Sequence, residues 1–80
     1  MNQESAWRII QTAFRCSAEL QDLLRFLKKN VDAKDYDSFR LAIAAAIDGI
    51  NVQLIDKAIS TRPELADKIE AELKASGRIV

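Results

Sequence analysis

AIAAAIDGI, residues 42–50, is the stretch on which the fold turns. Small residues run through it and then meet Asp48 and Gly49. A glycine after a helical run suits the left-handed residue that ends many helices. Inside a helix it is tolerated at a cost of about 1 kcal/mol relative to alanine. The flanking pattern favours the second option. Tyr36, Phe39, Ile43, Ile47, Ile50, Leu54 and Ala58 recur at steps of three or four, the period of one helical face. Ile47, Ile50 and Leu54 keep phase across Gly49, where a turn of arbitrary length would reset it. One helix over residues 36–59 is predicted, with room for a bend at Gly49. If the chain breaks there instead, Gly49 caps one helix and Asn51 starts another. The alanines let neighbouring backbones approach, and Asp48-Gly49 reads as the solvent-facing edge of a packing seam.

Working outward, residues 5–29 carry a first helix. Trp7, Ile10, Phe14, Leu24, Leu27 and Val31 fall near one face, widened by Ile9, Ala13, Cys16, Leu20 and Leu23. Ser5 is placed to cap its start, and Lys28 and Lys29 suit its negative end. The polar run NVDAKDYD reads as a turn, with Asp35 or Asp37 as the next cap. A third helix over residues 62–76 opens with Thr61 and Glu64 at the spacing of a capping box. Pro63 is tolerated in its first turn. Leu65, Ile69 and Leu73 form its apolar stripe, and Gly77 suits its exit. Arg78, Ile79 and Val80 either dock as a tail or fray. The expected architecture is all-α: a small compact bundle of three helices in one domain, 1–80, or four if the second helix breaks at Gly49.

The chemistry is marked by what is missing. Histidine is absent from the 80 residues, which removes the commonest general base and metal ligand. Cys16 is the single cysteine; it allows no internal disulfide and reads as a small buried hydrophobe. Asp32, Asp35 and Asp37 lack the glycine and terminal glutamate of a calcium loop. Asp67, Glu70 and Glu72 lack the Glu-x-x-His element of a bundle di-metal site. Pairs such as Glu64–Lys68 and Glu70–Lys74 fit a solvated helix face instead. With only Gly49 and Gly77, no glycine-rich phosphate loop exists. No enzyme, metal or cofactor is expected.

The formal charge is zero. A DNA-binding helix-turn-helix over residues 51–77 is a weak alternative, because Glu64, Asp67, Glu70 and Glu72 would meet phosphates. No basic start precedes an apolar run, so no signal peptide is expected. No segment approaches the roughly 20 consecutive apolar residues expected of a membrane helix. A cytoplasmic protein that contacts neither nucleic acid nor membrane follows.

The first helix carries more large apolar side chains than one neighbour can cover. A non-enzymatic protein–protein interaction module, self-associating as a homodimer, is the expected function. Trp7, Arg8, Ile10, Phe14, Arg15 and Phe26 are its candidate interface residues, of the types that anchor interfaces. The plainer role for Trp7 is to close one end of the bundle. An accessory or regulatory subunit of a larger enzyme is the second expectation. A small-ligand carrier is the third, with a cavity among Phe14, Leu24, Phe39, Ile43 and Ile47.

Overall fold

The computed structural model describes residues 1–79 and is all-α, with no strand among them. Helix α1 spans Gln3–Asn30. After Val31 and Asp32 the chain reverses into α2, Ala33–Thr61. Residues Arg62, Pro63 and Glu64 turn it again into α3, Leu65–Ser76. The helix does pass through Gly49. Three helices form a bundle with principal extents of 45 × 25 × 15 Å. The shortest extent is little more than the ~10–12 Å width of one helix with its side chains.

Local chemistry sets the helix ends, and it moves several predicted boundaries. Asn2, not Ser5, caps α1: its side-chain oxygen accepts from the Ser5 backbone N–H at 2.8 Å. Asp32 caps α2 in the same way, accepting from the Asp35 N–H at 2.8 Å. Asp35 and Asp37 therefore lie inside the helix, and Asp37 faces Arg40 at 3.9 Å. The capping box at Thr61 does not form, because Thr61 is the last residue of α2 and donates its hydroxyl to the Lys57 carbonyl. Glu64 pairs with Arg62 at 2.7 Å rather than with Lys68, whereas Lys74 and Glu70 do pair, at 3.1 Å. Gly77 ends α3 at φ 75°, and its N–H donates to the Leu73 carbonyl.

Helix α2 is continuous but not uniform. Ala33–Ile50 and Lys57–Thr61 are α-helical, and Asn51–Asp56 between them is a π-helix. A π turn bonds i to i+5 and so holds one more residue than an α turn. The buried stripe accordingly steps from Ile43 and Ile47 to Ile55 and Ala58, and Leu54 is left 44% exposed. The periodicity predicted Leu54 inside; the extra residue puts Ile55 there instead.

The core sits where the start of α1, the end of α2 and the start of α3 meet. Ala6, Ile10, Ala58 and Leu65 are buried together, with Trp7, Ile9, Phe14, Ile59 and Ile69 packed on them. Alanine at positions 6 and 58 lets the two backbones approach closely. The covered positions of α1 include Ala6, Ile10, Ala13, Ser17, Leu20, Leu24 and Leu27, and the row continues at Val31. They alternate steps of four and three, the spacing of a coiled-coil seam. Cys16 is exposed, contrary to the reading of it as a core residue, because the seam runs through its neighbour Ser17. Ile79 is buried, so the tail docks up to that residue; Val80 lies outside the described residues.

The continuity of α2 bears on one expectation. Ala33–Thr61 is 29 residues long, and an 18-residue window within it has mean hydropathy 1.3 with 11% of the window buried. By length and composition alone this helix can cross a membrane. Arg40 and Asp48 interrupt the apolar run without lowering its average enough to exclude it.

Candidate interaction face

Helices α1 and α2 form an antiparallel hairpin, and α3 covers only one of its two broad sides. The side it covers is marked by a cavity that Phe14, Ile47 and Leu73 line together. The other side is bare.

The residues of the bare side follow from the seam. On α1, Ile9, Cys16 and Leu23 each precede a seam residue, Ile10, Ser17 and Leu24, and repeat every seven positions. On α2, Ala42, Ala46 and Leu54 precede Ile43, Ile47 and Ile55 in the same way, and Phe39 lies seven before Ala46. Two α-helices of the same hand running antiparallel place these preceding residues on the same side of their seam. The geometry agrees at the base of the hairpin, where Ile9 and Leu54 line a common hollow with Met1 and Ala58. Toward the tip the side chains stand open. Leu23 is 44% exposed, Phe39 54% and Phe26, at the edge, 58%.

Charges border this face and also enter it: Lys57 precedes Ala58 and lines the hollow with Leu54, and Arg8 lines another beside Ile9. Arg8 and Arg15 lie on its α1 rim toward the N-terminus, and Glu19 and Asp22 toward the C-terminus. Asp22 pairs with Arg25. Arg8 and Glu19 make no ion pair among the described residues.

The structure does not gather the six predicted interface residues into one patch. Ile10 is completely buried in the core and offers nothing to a partner. Trp7 is half-buried against that core, with the Lys68 ammonium 4.4 Å from its ring centre. Phe14 packs on the core from the α3 side. Arg8 and Arg15 are exposed, and Arg15 donates to the Thr12 hydroxyl at 3.3 Å. Phe26 stands beside the bare hairpin face, with Arg8 and Arg15 on its rim. Cys16, Phe39 and Leu54 were missed as surface residues. For Cys16, the seven-residue spacing with Ile9 and Leu23 was a usable signal; for Leu54, nothing in the sequence announces the π turn.

Among the described residues no three acidic or thiol side chains converge on a point that could hold a metal ion. Compared with known families, curated proteins and solved structures, the chain matches none.

Proposed function

We propose that the protein is a self-associating helical module that acts by binding, with a second copy of the chain covering the bare side of the α1–α2 hairpin. The observation that carries this reading is the apolar row of Leu23, Phe26, Phe39 and Leu54, left 44–58% exposed on a hairpin that buries little else on that side. Two helices alone cannot enclose a seam, whereas four can. A two-fold pairing of hairpins would complete a four-helix core from identical surfaces. The rim charges support it. With two α1 helices antiparallel, Arg8 of one copy lies level with Glu19 of the other, so opposite charges meet at the edge. The alanines at 42 and 46 allow the second hairpin to approach closely.

The test is the mass of the protein in solution by sedimentation equilibrium, for wild type and for Leu23→Glu/Phe39→Glu. The expected result is a dimer for wild type and a monomer for the variant, with helical circular dichroism retained in both. A wild type that stays monomeric across a wide concentration range sinks the proposal. So does a wild type that is monomeric in buffer and joins lipid vesicles, which would assign the face to a membrane surface. Capture of a defined enzyme by a monomeric wild type would favour the accessory-subunit reading instead.

A further inference from the structure

The side of the hairpin opposite the bare face holds a cavity of about 610 Å³. Small-molecule sites commonly measure roughly 300–1,000 Å³. It forms because α3 and the residues after it fold back along α1 and α2. Phe14, Ile47, Leu73 and Ile79 give it apolar walls. This is a different set from the carrier cavity read from the sequence. Phe14 and Ile47 take part, and Leu24, Phe39 and Ile43 do not.

Its polar groups have one character. The charged residues that line it are Arg15 and Arg78, and no carboxylate among the described residues does so. Neither guanidinium makes an ion pair among the described residues. Ser17, also in the lining, is 8% exposed, and its hydroxyl has no hydrogen-bond partner. Burial is what sets it apart, since the Ser38 and Ser60 hydroxyls are exposed to solvent. Thr61 and Ser76 both donate to the carbonyl four residues back, as helical hydroxyls often do. A buried hydroxyl without a partner is costly, and each such group calls for an explanation. Asn51, on the same wall, opens the π turn, a distortion frequent at functional sites.

We propose that this cavity is a binding site for a small amphipathic anion, a carboxylate on a medium-length apolar body. The apolar walls take the body, Arg15 and Arg78 take the carboxylate at the rim, and the Ser17 hydroxyl donates to a ligand oxygen. The cavity lies on the other side of the hairpin from Leu23 and Phe39, and Arg15 at its mouth also borders the bare face.

Octanoate, below its micelle concentration, is the probe, with octanol as its uncharged counterpart. The full-length chain is labelled with 15N and titrated with each. The expected result is saturable shifts of the Ser17, Ile47, Leu73 and Gly77 amides with octanoate. Octanol should bind about ten-fold more weakly, the loss of one charge-assisted contact. Arg15→Gln/Arg78→Gln, at two exposed positions and checked for helical circular dichroism, should lose octanoate affinity about ten-fold and leave octanol unchanged. Ser17→Ala should weaken octanoate several-fold. Absence of saturation, equal affinity for octanoate and octanol, or shifts centred on Leu23 and Phe39 would each overturn the assignment.

Discussion

The Lys68 ammonium lies 4.4 Å from the centre of the Trp7 ring, joining α3 to α1 across the core. Few contacts hold α3. Leu65 is its one fully buried side chain and Ile69 packs beside it, while Leu73 is 40% exposed. The cation over the indole face adds to the packing of Leu65 and Ile69 in positioning this helix. Lys68→Gln is expected to cost about 0.5–1 kcal/mol, the range for an exposed cation–π pair. Denaturant unfolding followed by the fluorescence of Trp7, the single tryptophan, reads this directly. An unchanged midpoint would show that the contact contributes nothing to stability.

Gly49 has no packing reason to be glycine. A Cβ built there meets nothing within 4 Å, and its φ is not positive. The backbone is helical on both sides. Gly49→Ala should stabilise the protein by about 1 kcal/mol, raising the thermal midpoint by roughly 4–8 °C in a domain of this size. Amide exchange across residues 48–52 should slow in parallel. A lowered midpoint would mean that the helix needs a hinge there.

Ser17 presents the opposite case, a side chain whose polar atom costs stability where it stands. Removing the unpaired hydroxyl in Ser17→Ala should stabilise the ligand-free protein by about 1 kcal/mol. Thermal unfolding without ligand measures it. A destabilised variant would indicate that the hydroxyl is hydrogen-bonded in solution.

Glu64 links the α2–α3 turn to pH. Its own backbone N–H, and then the Arg62 side chain, hold its carboxyl below the usual carboxylate range. A depressed native pKa means that the ionised form is favoured by folding. The contribution is present above the unfolded-state pKa and is lost as pH falls through the lower native value. Glu64→Gln should therefore flatten the acid side of the stability profile and leave the alkaline side unchanged. Because the carboxylate is exposed, the difference should be small and should shrink in high salt. A variant profile that parallels the wild type would remove this group from the acid response.

Much of the fold was legible in the sequence because it rests on helical periodicity. Ile43, Ile47 and Ala58 were placed on the inner stripe and lie there, and Gly77 ends its helix as its chemistry requires. The caps of α1 and α2 lie a few residues from the predicted ones because Asn2 and Asp32 compete with equally good oxygens nearby. The seam of α1 was harder to see. It is built partly from Ala6 and Ser17, small residues that a search for bulk overlooks, and helical spacing does not separate Ser17 from its neighbour Cys16. The surplus of apolar groups on α1 was visible, but not which of them α3 would cover. That depends on the side to which the Arg62–Glu64 turn sends the chain, a tertiary fact with no local signal. The cavity is of the same kind, since its lining comes from α1, α2 and the residues that end α3.

The π turn at Asn51–Asp56 has a consequence for how the chain tolerates change in length. Ile43 on one side, and Ala58 on the other, are buried against their neighbours, so neither end of α2 is free to rotate. A surplus residue between them cannot be passed along the rod and is taken up where it stands. The molecule thus accommodates an insertion at mid-helix that would, in a freely rotating helix, turn every later side chain by about 100°. Sequence length in α2 is set by its two anchored ends, and the middle yields.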